Sequence, residues 1–103
     1  MISDIFKYEE LRTLENFCLK KYKNAVYKGQ VNLNSKKREG FGVLLSGGDR
    51  VYEGQWNIDK RNGNGFEIFK NGNSYRGQFV DNKPHGKGIY VWTNGEVYDG
   101  EFI

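Results

Sequence analysis

Four tyrosines open nearly the same phrase, and their spacing restricts what this chain can fold into more than any other feature. The phrases are Tyr27-Lys28-Gly29-Gln30, Tyr52-Glu53-Gly54-Gln55, Tyr75-Arg76-Gly77-Gln78 and Tyr98-Asp99-Gly100-Glu101, and they begin 25, 23 and 23 residues apart. A second phrase recurs inside each unit as Gly40-Phe41-Gly42, Gly63-Asn64-Gly65 and Gly86-Lys87-Gly88, its second glycine always 10 residues before the next tyrosine. Two anchors held in register three times mark an array of small units, each burying its face on the next.

Each unit reads as strand, turn, strand, turn. Tyr52, Gly54 and Trp56 alternate at period two and share one face, as do Tyr75, Gly77 and Phe79. On the return strand Gly86, Gly88, Tyr90 and Trp92 share a face, while Ile89 and Val91 take the other. Glycine inside a strand weakens it, so its recurrence implies aromatic rings lying across the backbone. The two extra residues of the first unit fall within 31–38, which places a turn there. The matching stretches 57–62 and 80–85 are polar and turn-forming. Asn71-Gly72 and Asn94-Gly95 predict tight hairpin turns with both central residues at positive φ. Composition agrees: 14 Gly stand among seven Tyr, seven Phe and two Trp, which excludes a flexible linker. The expected fold is mainly β, an elongated single-layer antiparallel meander of tandem hairpins.

Tyr-x-Gly-x-aromatic, a polar turn, Gly-x-Gly, an aromatic and then Asn-Gly together resemble the MORN repeat, from Tyr27 to Ile103. The units are 27–51, 52–74, 75–97 and a partial 98–103, within an array over 25–103. The third fits best. The first departs most, with Val31 for the aromatic and Gly47-Gly48-Asp49 for Asn-Gly, as suits a capping repeat. The resemblance implies an elongated hairpin ribbon used for attachment and scaffolding, found in cytoskeletal, ciliary and membrane-junction settings. Lipid binding has been inferred from such settings.

Residues 1–24 are expected to form an amphipathic helix and a connector. Ser3 can cap a helix over 3–22, and Tyr8, Leu11, Leu14, Cys18 and Tyr22 make one apolar stripe. At the other end Tyr98 to Phe102 supplies one strand of a fourth unit. Its edge is expected to add a strand, to self-associate, or to continue in a longer chain. Residues 1–38 hold nine Lys/Arg against four Asp/Glu, and residues 39–103 hold seven against nine.

No catalytic constellation is visible. His85 is the only histidine and is placed in a turn; Cys18 is the only cysteine, which excludes an internal disulfide and a Cys-rich zinc site. The Gly-x-Gly phrases lack the Lys-Ser/Thr of a phosphate loop. No enzyme activity, cofactor or metal is expected. The favoured reading is a scaffold subunit binding a helix or strand of a partner protein through Tyr52, Trp56, Tyr75, Phe79, Trp92 and Tyr98, since Trp and Tyr are the usual interface hot spots. The alternative is attachment to anionic phospholipid through Lys20, Lys21, Lys23, Lys36, Lys37 and Arg38. Nucleic acid is disfavoured, as no recognised module is present. The lone cysteine, the acidic N-terminus and the lack of a long apolar run point to the cytoplasm; the resemblance implies a cytoskeletal or ciliary assembly as the setting.

Overall fold

A computed structural model of the chain describes residues 11–103. Eight strands follow one another: β1 (Phe17–Lys21), β2 (Ala25–Val31), β3 (Arg38–Ser46), β4 (Arg50–Asn57), β5 (Lys60–Ile68), β6 (Ser74–Val80), β7 (Lys83–Val91) and β8 (Val97–Phe102). They form one sheet in sequence order, every neighbouring pair antiparallel.

The register explains the repeat. Gly29, Gly42, Gly54, Gly65, Gly77, Gly88 and Gly100 stand directly opposite one another across β2–β8. The ring of Tyr27 lies over Gly29 and Gly42, that of Tyr52 over Gly54 and Gly65, and that of Tyr75 over Gly77 and Gly88. A Cβ at these glycines would enter the ring or the facing backbone. Each tyrosine hydroxyl donates to the carbonyl three residues on: Gln30 at 2.6 Å, then Gln55, Gln78 and Glu101 at 2.8 Å. The glutamine of the phrase sits in a β-bulge, where one strand carries an extra residue. Its Oε1 accepts a backbone N–H from the facing strand, Phe41 at 2.8 Å, Asn64 at 2.6 Å and Lys87 at 2.9 Å. A bulge leaves ladder groups unpaired, and the glutamine satisfies one of them.

On the same face the rings form a continuous zigzag of edge-to-face pairs: Tyr27, Trp56, Tyr52, Phe79, Tyr75, Phe102, Tyr98, with centroids 4.9–5.5 Å apart. Val31 occupies the ring position of the first unit and is also buried. Tyr27, Tyr52, Tyr75 and Phe79 are no more than 2% exposed. A flat single layer cannot hide one face so completely, so the sheet curls around this inner face. The molecule measures 41 × 25 × 24 Å. On the outer face Leu11 is buried with Val43 and Val51, and Leu14, Phe17, Phe41 and Leu45 pack against them.

Two expectations are corrected. First, an N-terminal helix is not supported: residues 1–10 lie outside the described residues, the chain turns after Leu11, and Phe17–Lys21 is a strand. Pairing with β2 satisfies the backbone groups on that side of the strand, and the apolar stripe instead alternates, Cys18 inward and Phe17 outward. Short apolar runs fit either period, and here the unpaired edge of β2 decides. Second, the turn chemistry is exchanged. The two-residue primed turns fall at Ile58-Asp59 and Asp81-Asn82, all four at positive φ. The Asn-Gly sites are three-residue loops in which only Gly72 (φ 92°) and Gly95 (φ 94°) are left-handed. The first unit's extra length is a four-residue loop, 33–36, tied by Asn32 Oδ1 to the N–H groups of Asn34 and Ser35.

Candidate functional site

The inner face carries charge as well as rings. Arg38 opens β3 opposite Val31, and Arg61, near the start of β5, faces Trp56. The Arg38 guanidinium lies 4.5 Å from the Trp56 ring centroid, and that of Arg61 lies 5.5 Å from Tyr52. Each reaches the primed turn of the following unit. Arg38 donates from N and Nε to Asp59 Oδ1 at 2.8 and 3.1 Å, and from Nη2 to the Asp59 carbonyl at 3.1 Å. Arg61 repeats this on Asn82, from N and Nη2, both at 3.0 Å. In the third unit Pro84 takes the arginine's place opposite Phe79. Desolvation is the largest single influence on Asp59 and raises its pKa. The hydrogen bonds and charge of Arg38 together outweigh it and hold the carboxyl below the ordinary aspartate value. Burial pushes the phenols of Tyr27, Tyr52 and Tyr75 above the ordinary tyrosine value.

Glu67 is a buried acid, 3% exposed, in the row that holds Leu44 in the first unit and Tyr90 in the third. It accepts from Arg50 Nη2 at 2.9 Å and Arg61 Nη1 at 2.8 Å. Around this ion cluster opens a cleft of about 320 Å³, walled by Arg38, Leu44, Arg50, Tyr52, Trp56 and Arg61. A second recess shares Arg50 with it and is lined further by Phe69, Lys70 and Asn71. Phe69 stacks on Tyr90 at 5.7 Å, and Tyr90 leans on Trp92 at 4.8 Å. Asn73 Nδ2 donates to the Tyr90 hydroxyl at 3.2 Å.

The structure sorts the six aromatic residues singled out in the sequence. Tyr52, Trp56, Tyr75 and Phe79 belong to the buried ring zigzag and form the floor of the inner face. Trp92 is 40% and Tyr98 43% exposed, so these two rings present a surface. The six basic residues do not share one surface. Lys20, half-buried, donates to the Lys36 carbonyl at 2.7 Å, and Arg38 is committed to Trp56 and Asp59. Lys21 faces outward opposite Val26, beside Tyr27 and Lys20 on the other face. Lys23 lies in the turn before β2 and Lys36 and Lys37 in the turn after it, about 20 Å apart by strand rise. His85, expected in a turn, is exposed on β7.

Arg50, Arg61, Glu67, Phe69 and Tyr90 were missed as site residues. A signal was present: Arg38 and Arg61, Glu67 and Tyr90, and Phe69 and Trp92 are each one repeat, 23 residues, apart. Among the described residues no group of three or more His, Cys, Asp or Glu could hold a metal ion, and no helix is long and apolar enough to cross a membrane.

Comparison with known families gives one result. The MORN repeat model matches residues 52–74 and 75–97, so the second and third units are two tandem MORN repeats. A comparison with curated proteins gives no match. MORN repeats are generally involved in protein or membrane interactions, and the family is generally non-catalytic.

Proposed function

We propose that the two MORN repeats and the hairpins flanking them form a non-catalytic scaffold subunit. It binds a partner protein through the inner face of the sheet, within a larger cytoplasmic assembly of cytoskeletal or ciliary type. The observation that carries this reading is the strip Phe69, Tyr90 and Trp92, with Tyr98 beyond it. Phe69, Tyr90 and Trp92 lie on the face of the ring zigzag, and they and its end member Tyr98 stay half-buried or exposed. Exposed aromatic surface beside a concave apolar floor is the usual form of a protein contact. The chemistry of the cleft supports binding over turnover. Asp59 and Glu67 each already hold an arginine, and among the described residues of the cleft no nucleophile stands beside a base.

The test is extraction of native cells carrying the tagged full chain, first with non-ionic detergent and then with high salt, followed by mass spectrometry. Retention with defined protein partners after detergent is the expected result. Release by detergent, or by salt from isolated membranes, with no stable protein partner would replace this reading with phospholipid attachment.

A further inference from the structure

Resting on the inner-face reading above, we propose that the cleft takes an acidic peptide segment of a partner protein. One of its carboxylates is received by Arg50, and a neighbouring apolar side chain lies on Phe69, Tyr90 and Trp92.

The charge balance decides the sign of the occupant. Arg38, Arg50, Arg61 and Lys70 line the cleft and the recess that shares Arg50 with it, against the two carboxylates of Asp59 and Glu67. Arg38 is used by Asp59, and Arg61 divides its donors between Glu67 and Asn82. Arg50 differs: it gives only Nη2 to Glu67, and its side chain keeps 47% exposure. A guanidinium carries five N–H donors in a planar fork, suited to a second carboxylate. Lys70 lies beside it, its stem against the Gly48 turn and its charge in solvent. Glu67 acts here as a positioning residue. Buried where the other units carry Leu44 and Tyr90, it anchors one corner of the Arg50 guanidinium.

The geometry favours a peptide over a bilayer. The Arg61 side chain, part of the cleft wall, is only 20% exposed, and a flat headgroup surface does not reach it. The exposed lysines Lys23, Lys36 and Lys37 are divided between opposite ends of the sheet. The cleft instead places a cation beside a stacked aromatic pair, which matches alternating acidic and apolar side chains on an extended or helical segment.

The experiment pans phage-displayed random peptides against the full chain. The enriched peptides are then synthesised and measured by fluorescence polarisation on the wild type, Arg50→Glu, Lys70→Glu and Trp92→Ala. Vesicles of phosphatidylcholine with phosphatidylserine are tested alongside. The expected result is enrichment of Asp or Glu next to an aromatic residue or leucine. Arg50→Glu and Trp92→Ala should each weaken binding about ten-fold, and added salt should weaken it further. Lys70→Glu, a change on an exposed turn, should weaken it in the same direction, which separates charge from any folding defect of Arg50→Glu. Neutral or basic winners, unaffected by the charge reversals but lost in Trp92→Ala, would overturn the acidic assignment and leave inner-face binding standing. Winners indifferent to Trp92→Ala as well would overturn both. Vesicle binding abolished by Arg50→Glu, with no peptide enrichment, would give the cleft to a lipid surface.

Discussion

Gly65→Ala tests the packing of rings on the glycine row with one methyl group. Its Cβ would lie 2.6 Å from Tyr52 Cε1 and 2.7 Å from Cζ, and closer still to the hydroxyl. Ordinary carbon contacts are about 3.5–4.0 Å, so the ring must move by roughly 1 Å. It has no room to do so. Its hydroxyl is bonded to the Gln55 carbonyl at 2.8 Å, and its edges meet Trp56 and Phe79, both at 5.1 Å. Overpacking of this kind costs about 1–3 kcal/mol, and loss of the hydroxyl bond adds about 1 kcal/mol, so about 3 kcal/mol is expected. For a chain of this size that lowers Tm by about 12–24 °C. Thermal and urea melts followed by near-UV circular dichroism measure it. Gly47→Ala is the control: the nearest atom to its Cβ is the Asn24 carbonyl oxygen at 3.8 Å, so the change should stay within about 0.5 kcal/mol. In a Tyr52→Leu background the Gly65→Ala penalty should shrink, because the obstructing ring is gone. A Gly65→Ala protein as stable as Gly47→Ala, or a penalty unchanged by Tyr52→Leu, would refute the reasoning.

Other consequences follow from single residues. Ile58 is a β-branched residue at φ 48° in a primed turn, 56% exposed, so Ile58→Asn should raise stability by about 1 kcal/mol in urea melts; a loss would contradict the assigned strain. Arg61→Met leaves buried Glu67 with Arg50 alone and should cost about 3 kcal/mol, whereas Glu67→Leu, which copies Leu44 of the first unit, should be near neutral; equal costs would contradict the ion-cluster account. The phenols of Tyr27, Tyr52 and Tyr75 have raised folded pKa values, so their contribution is complete below the unfolded value of about 10 and is lost as pH rises above it. Phenolate absorbance from these three should therefore appear together with alkaline unfolding. Ionisation of all seven tyrosines while the sheet is intact would be the opposite result.

The repeat was legible because its two anchors are backbone requirements. Only glycine admits a tyrosine ring across the strand, so Tyr-x-Gly and Gly-x-Gly carry the register directly. The long turn at 33–36 was visible as a two-residue excess. What escaped depends on partners distant in sequence. Phe17–Lys21 has no repeat phrase, and only the open edge of β2 makes it a strand. Asn-Gly is compatible with more than one turn, while Ile58-Asp59 adopts the primed geometry because the flanking ladder imposes it. The four buried rings read as an exposed patch because curvature is a property of the whole sheet. The cleft arginines were hidden for a related reason: each acts across a unit boundary, on Asp59, Asn82 or Glu67.

The central claim is that the inner face is where a protein partner binds. The most direct measurement is site-specific photocrosslinking in cells, with a photoreactive phenylalanine analogue placed at Trp92, just past the end of β7 on the inner face, and, separately, at Ile89 on the outer face of β7. The account predicts that the probe at position 92 crosslinks to a protein in a discrete band, and that the probe at position 89 does not. Crosslinking to protein only from position 89, or to lipid alone from position 92, would contradict it.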